Sequence, residues 1–231
     1  MSVRQVLVVD DEQHIRTVLR GYLEADGFAV VEAGDGETAV QLAQAHPPDL
    51  VLLDIMLPGI DGLEVLRRLR GFSDLYVILV TARSEEVDKL VGLGVGADDY
   101  VTKPFSPREV AARVKAVLRR DRGRPPDDVE VLRFAGLTID RARREVDREG
   151  SAVLLSTLEF DLLAALAATP GRVFSRRQLL QSVWGYDLYG DERVVDVHIR
   201  SLRARLGDDA NDPRWIATVR GVGYKFVGRP R

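Results

Sequence analysis

The sequence predicts an α/β fold, a doubly wound parallel sheet of five βα units, followed by a winged helix-turn-helix domain. Three observations carry that prediction. Five short apolar runs alternate with helical periodicity as far as residue 120. The stretch DRGRPPDDVE, residues 121–130, then interrupts the pattern with charges, a glycine and a Pro-Pro pair, and reads as an exposed linker. Beyond it, three helix starts are closed by an alternating segment around a Gly-x-Gly turn. The domain boundaries that follow are 1–120, 121–130 and 131–231.

In the first half the strands are expected at Val6–Val9, Phe28–Glu32, Leu50–Leu53, Tyr76–Val80 and Asp98–Thr102. They are short, apolar and bounded by turn residues, as strands buried on both faces should be. Helical stretches follow at roughly 12–25, 36–45, 61–70, 85–93 and 107–120. The last has a marked start: Ser106 suits the cap, Pro107 the first helical position, and Glu109 a capping box. In the second half, short strands are expected around 131–154. A capping box at Ser156–Glu159 opens a helix through about 168, which Pro170-Gly171 ends. A second, at Ser175–Gln178, opens a helix ending near Trp184-Gly185. A third helix runs from about Asp191 to Leu206, stopped by Gly207, and WIATVRGVGYKFV forms the closing hairpin.

Composition narrows the class. With 45% hydrophobic and 30% charged residues in 231, the chain has enough apolar material for a globular core, which argues against disorder. No apolar run approaches a membrane span, and the N-terminus turns acidic too soon for a secretory signal. Absence of cysteine removes disulfides and thiolate metal sites and fits a reducing cytoplasm. Charge is divided unevenly. Residues 1–120 carry 14 Lys/Arg against 19 Asp/Glu, whereas residues 131–231 carry 17 against 13. An acidic half joined to a basic half suggests different partners for each.

Four features at the ends of four of the five strands make sense together: Asp10-Asp11 after VLVV, Asp54 after DLVLL, Thr81 after YVILV, and Lys103-Pro104 after DDYVT. Open α/β sheets place ligands outside the carboxyl ends of their strands. Carboxylates, a hydroxyl and an ammonium delivered to one edge suit a divalent cation and a phosphoryl group. Mg²⁺ or Mn²⁺ prefers a few carboxylate oxygens with retained waters, a carboxylate can accept a phosphoryl group covalently, and Lys103 would neutralise one oxygen as a point charge. Taken singly, each feature is ordinary: an acidic pair caps a helix, a lone Asp makes a turn.

These segments, VVDDE, LLDIMLPGIDG, VTA and GADDYVTKPF, resemble the flavodoxin-like receiver domain of two-component response regulators over residues 4 to about 120. The resemblance implies that Asp54 is the phosphoacceptor, that Asp10, Asp11, Asp54 and the Met56 carbonyl hold Mg²⁺, and that Thr81 and Tyr100 form a switch pair. Small Ala82 would leave the acceptor accessible. The donor would be a phosphohistidine of a sensor histidine kinase. His14, His46 and His198 are scattered and none suits a relay.

In the helix before Gly207, Val195, Ile199, Leu202 and Leu206 make one apolar stripe, opposite Arg193, Val197, Arg200 and Ala204, with Ser201, Arg203 and Arg205 on the flanks. An arginine-rich face is most simply a solvated one. An apolar Val197 and a small Ala204 among the arginines instead suit close approach to a groove. LSTLEFDLL, PGRVFSRRQLLQSVWG, RVVDVHIRSLRARL and TVRGVGYKF resemble the OmpR/PhoB effector domain. That resemblance implies DNA contacts, mostly to phosphates, from Arg193, His198, Arg200 and Arg203, with Arg220 of the wing in the minor groove. Val197 and Ser201 lie on the groove-facing side, and Ser201 stands where some members carry a longer basic side chain, so readout there should be weaker or different. Ser175, Arg176 and Arg177 would touch backbone. GYDLYGDE resembles the segment presented to RNA polymerase. The same family implies a receiver dimer face of Lys89, Leu90, Leu93, Asp98, Asp99, Glu109, Ala111, Arg113 and Lys115, with intersubunit pairs Lys89–Glu109, Asp99–Arg113 and Asp98–Lys115.

The expected function is a cytoplasmic, phosphorylation-dependent regulator that binds promoter DNA at direct repeats as a homodimer, with no enzymatic turnover beyond self-phosphorylation and dephosphorylation. Two rivals differ in class. An aspartyl-phosphate phosphatase would carry a second Asp two residues after the nucleophile, where this chain has Met56. A stand-alone phosphorelay module would lack the second half.

Overall fold

Asp54 and its neighbours are held by strands that form because their residues are apolar on both faces. In the computed structural model, which describes residues 3–81, 96–119, 131–185 and 192–231, the first unit spans Met1–Arg119 and the second Arg120–Arg231. Strands β1 (Gln5–Val9), β2 (Ala29–Ala33), β3 (Leu50–Asp54), β4 (Tyr76–Thr81) and β5 (Asp99–Thr102) form one parallel sheet in the order β2-β1-β3-β4-β5. Every residue of β3 and β4 is buried, whereas most of edge strand β2 is only half-buried. The expected helix over 85–93 lies outside the described residues.

Helices α1 (Gln13–Ala25) and α4 (Pro107–Arg119) cover one sheet face. Leu19 and Leu23 meet Val110, Val114 and Val117 over Val6, Val8, Leu50, Leu52 and Ile78. Helices α2 (Gly36–Ala45) and α3 (Gly62–Arg70) begin at Asp35 and Asp61, whose carboxylates accept from the amides of Thr38 and Glu64. Such a cap is worth about 1 kcal/mol, while each fully buried Leu or Val contributes roughly 1.5–3 kcal/mol. Packing therefore outweighs capping in holding these helices. Glu12 stays extended before α1 and makes no side-chain cap; its amide instead donates to Asp10 Oδ1 at 2.9 Å. At the start of α4 the Ser106 carbonyl accepts from Glu109 and Val110.

The second unit begins with a four-stranded antiparallel sheet, β6 (Val131–Phe134), β7 (Leu137–Asp140), β8 (Glu145–Arg148) and β9 (Ser151–Ala152). Helix α5 (Thr157–Ala167) is apolar almost all round and correspondingly buried. Helix α6 (Arg176–Leu179) runs on as a π-helical turn over Leu180–Trp184, and Gly185 ends it at a φ of 78°. Both expected capping boxes are present, at Ser156–Glu159 and Ser175–Gln178. Helix α7 spans Arg193–Leu206, and β11 (Ile216–Val219) with β12 (Gly223–Phe226) makes the hairpin. The hairpin gains a third strand that the sequence pattern did not reveal. β10 (Val173–Ser175) pairs with β12, so close to it that a Cβ on Gly223 would sit 2.0 Å from the Phe174 carbonyl. Trp184, Trp215 and Phe226 are fully buried in this unit's core.

Candidate functional site

The strand order brings the acidic residues together. β1 and β3 are neighbours, with Val9 opposite Leu53, so Asp10 and Asp54 leave adjacent strands at the point where the order of the sheet reverses. Both are 2% exposed. Lys103 bridges them, its Nζ 2.6 Å from Asp54 Oδ2 and 2.8 Å from Asp10 Oδ2, with Glu12 Oε1 at 3.6 Å. Asp54 Oδ1 accepts from the Met56 amide at 2.9 Å. The Lys103-Pro104 bond is cis, and the Lys103 amide donates to the Thr81 carbonyl at 2.7 Å.

One ammonium cannot neutralise this set. Ligand oxygens of Asp10, Asp11 and Asp54 all lie within 4.8 Å of one another, and Asp11 is exposed and reachable. An all-oxygen donor set with an excess of negative charge fits a hard divalent cation that keeps some of its waters. Burial pushes the Asp54 carboxyl above its ordinary value, and the Asp10 charge adds to this against the hydrogen bonds from Lys103 and Met56. Burial alone would lower Lys103, but its hydrogen bonds to Asp10 and Asp54 outweigh that and hold the ammonium above its ordinary value. Lys103 is therefore a fixed positive charge.

Two supports of this pocket carried no role in the sequence reading. Arg16 Nη1 donates to the carbonyls of Asp10 at 2.7 Å and Asp11 at 3.1 Å, while its Nε reaches Glu32 Oε2 at 3.3 Å. The guanidinium thereby ties the acidic loop to β2. Helical periodicity marks Arg16 only as polar, so nothing in the sequence points to this contact. Gly62 is the second. A Cβ there would lie 2.1 Å from the Asp54 carbonyl, and its amide donates to the Ile55 carbonyl at 2.9 Å. The loop after Asp54 folds back so tightly that only glycine fits.

Thr81 ends β4 fully buried, while Tyr100 on β5 is half-buried. Ile78 on β4 and Val101 on β5 face α1 and α4. By strand alternation Thr81 and Tyr100 therefore share the opposite face. Ala82, Lys89, Leu90 and Leu93 lie outside the described residues. The other residues expected at a dimer face take partners within the chain. Asp98 is buried and accepts from the Val77 amide at 2.7 Å and from Arg70 at 2.8 Å. Lys115 pairs with Asp26, and Arg113 with both Asp99 and Glu109. Ala111 belongs to the core rather than to an exposed patch. Within the chain, Asp98 therefore has Arg70 as its donor and Lys115 has Asp26 as its partner, since a carboxylate this deep needs a donor at hand.

In α7, the side opposite the core carries Arg193, Val197, Arg200 and Ala204. Both arginines and Ala204 are exposed and Val197 is half-buried. The expected DNA contact from His198 is corrected. The ring is 3% exposed, and its centroid lies 5.3 Å from that of Trp184. Ser201 also turns inward, its hydroxyl donating to Glu159 Oε1. Arg203 is held by its own wing, Nη2 reaching the Ile216 carbonyl at 2.6 Å and Thr218 Oγ1 at 2.9 Å. Arg176 pairs with Asp196 at 2.7 Å, and the Tyr224 hydroxyl donates to the same carboxylate at 2.6 Å. Arg220 lies exposed in the hairpin turn. The expected polymerase segment lies mostly outside the described residues.

Known proteins match both halves. Residues 6–115 match the response regulator receiver domain, and residues 150–226 the C-terminal domain of transcriptional regulatory proteins. The chain is 45% identical over 222 residues to the DNA-binding response regulator MtrA of Mycolicibacterium smegmatis, covering 96% of each. It is similar to the crystal structure of DrrB, a Thermotoga maritima OmpR/PhoB homologue, with 35% identity, 98% and 100% of the chains covered and a TM-score of 0.54. A mutant of RitR superposes with a TM-score of 0.75 at 28% identity, over 96% and 98% of the chains. With both domains matched in order and this identity over nearly its whole length, the chain belongs to the OmpR/PhoB family of response regulators.

Proposed function

We propose that the protein is a transcriptional regulator whose DNA binding is governed by phosphorylation of Asp54. The observation that carries this is the convergence of Asp10, Asp54 and Lys103 at the sheet's switch point, on a chain whose second unit presents an arginine-lined helix. In the reaction, an oxygen of Asp54 attacks the phosphorus of a phosphohistidine on a partner kinase. The P–N bond breaks, an acyl phosphate forms, and the imidazole leaves. Asp10, Asp11, Asp54 and the Met56 carbonyl would hold a divalent cation, which would neutralise charge on the phosphoryl oxygens. Lys103 moves from the Asp54 carboxylate to the new phosphoryl group, and Thr81 donates a hydrogen bond to another of its oxygens. Tyr100, on the same sheet face, follows Thr81 inward. Self-phosphorylation from small donors and hydrolysis of the acyl phosphate use the same groups.

The modified receiver pairs with a second copy through a face that includes Lys89, Leu90, Leu93, Glu109 and Lys115, and two effector units then occupy direct repeats about one helical turn apart. Arg193 and Arg200 contact DNA and Arg220 enters the minor groove, while the segment after Trp184 meets RNA polymerase. The protein works in the cytoplasm; among the described residues no helix is long and apolar enough to cross a membrane. The test is a binding titration on a direct-repeat duplex, with and without a small-molecule phosphodonor and Mg²⁺. Phosphodonor should add one phosphoryl group and tighten binding, and Asp54→Asn should abolish both effects. Unchanged labelling of that variant would refute the assignment.

A further inference from the structure

We propose that Glu159, a buried carboxylate of α5, is the positioning residue of α7, and that it withdraws Ser201 from base reading. Direct readout then falls to the stripe Arg193, Val197, Arg200 and Ala204. The inference rests on the reading that α7 enters the major groove.

Glu159 is 4% exposed. A carboxylate at that depth must have its oxygens satisfied, and both are. Oε2 accepts from the Ser156 amide at 2.8 Å, closing the capping box, and Oε1 accepts from the Ser201 hydroxyl. The capping box would be complete with one oxygen. The second reaches across from α5 to α7 and fixes one flank of the helix.

The other flank is fixed independently. Asp196 is held by Arg176 and Tyr224, and Arg203 by Ile216 and Thr218. At about 100° per residue, Ser201 stands roughly a quarter-turn to one side of the stripe, and Asp196 and Arg203 stand to the other. The helix is thus pinned against roll on both sides of its outward face. The magnitude matters. A side chain reaches about 5–6 Å from the helix axis, so a 20° roll moves its tip by about 2 Å. A hydrogen bond to a base edge tolerates only a few tenths of an ångström. Losing one flank therefore degrades every contact of the stripe together. The stripe itself has a chemical preference. Val197 and Ala204 can touch thymine methyls, and Arg200 can reach guanine O6 and N7.

A positioning residue and a reading residue give different signatures, so base preference is measured position by position. The full phosphorylated chain is titrated on a duplex panel in which each base pair of the half-site is varied. Ser201→Ala should flatten the preference at all positions at once, by about three- to tenfold as befits one lost hydrogen bond, while leaving the rank order of bases intact. Glu159→Ala should give the same pattern, and Glu159→Gln, which can still bridge Ser156 and Ser201, should restore discrimination. Val197→Ala should relax one base pair only. Trp184 and Trp215 fluorescence checks the fold of each variant. If Glu159→Ala does not fold, Ser201→Ala breaks the same bond without leaving a cavity at Glu159 and carries the test. Relaxation of a single base pair by Ser201→Ala makes Ser201 a reader and overturns the proposal, as does unchanged discrimination in that variant. If neither Val197→Ala nor Arg200→Ala alters any preference, the placement of α7 in the groove fails, and this proposal fails with it.

Discussion

The two working surfaces of this protein are built by different means. The acidic pocket is made by backbone topology: β1 and β3 lie side by side and deliver Asp10 and Asp54 with no adjustable element between them. The arginine-lined face of α7 is bordered by side-chain hydrogen bonds, to Glu159 on one flank and to Arg176, Tyr224 and Thr218 on the other. Charge placed by topology is hard to displace and costly to leave unpaired. A surface placed by side chains can be retuned residue by residue.

The strongest test of that difference removes the ammonium that, among the described residues, bridges the two buried carboxylates. Lys103→Met leaves Asp10 and Asp54 buried beside each other, and breaking such a buried pair costs about 3–5 kcal/mol. In chelator-treated buffer the receiver unit should melt far earlier, and Mg²⁺ should recover much of the loss; a melting temperature indifferent to Mg²⁺ would mean the three carboxylates do not form a cation site. On the backbone side, Gly62→Ala should be nearly as damaging. The added Cβ must displace the Asp54 carbonyl, at a cost of roughly 1–3 kcal/mol by overpacking, and calorimetry of the full chain should show it in the receiver transition alone.

On the effector side the effects are smaller and pH-dependent. Burial, then the hydrogen bond to Asp196, pushes the Tyr224 phenol from 10.0 up to about 12. The unfolded chain thus ionises first as pH rises. Stability from this group is complete below pH 10 and falls by roughly 2 kcal/mol by pH 12. Fluorescence of Trp184 and Trp215, both in this unit, should report that loss in the wild type. In Tyr224→Phe the alkaline loss should vanish, although the variant starts about 1 kcal/mol lower at neutral pH for want of the hydrogen bond. A Tyr224→Phe protein with the same alkaline decline would point to another group. The smallest effect compares two arginines of α7. Arg200→Ala, which removes an outward-facing charge as well as a base contact, should relax preference at one base pair and lower the salt slope of DNA binding by up to about one. Arg203→Ala should lower it by less and instead loosen the wing, because its guanidinium is already spent on Ile216 and Thr218. Equal slopes in binding titrations over several salt concentrations would erase the distinction between outward and flanking arginines.

Much of the pocket was legible in the amino-acid order. Short apolar runs ending in Asp, Asp, Thr and Lys fix both the strands and the end at which their polar groups emerge, since a strand buried on both faces can carry them only at its tip. Helix starts were equally plain at Ser156 and Ser175, where the capping box is a local pattern of four residues. Even the outward stripe of α7 followed from a period of 3.6. What the order could not give was any contact between residues far apart in sequence whose type permits several partners. Arg16 joins the acidic loop to β2, Asp98 takes Arg70, and β10 joins the hairpin. His198 turns to Trp184, and Ser201 to Glu159 42 positions away. Periodicity assigns a residue to a face of its own element. Which neighbour satisfies a polar group on the flank of that face depends on how the elements pack, and only the tertiary structure decides it.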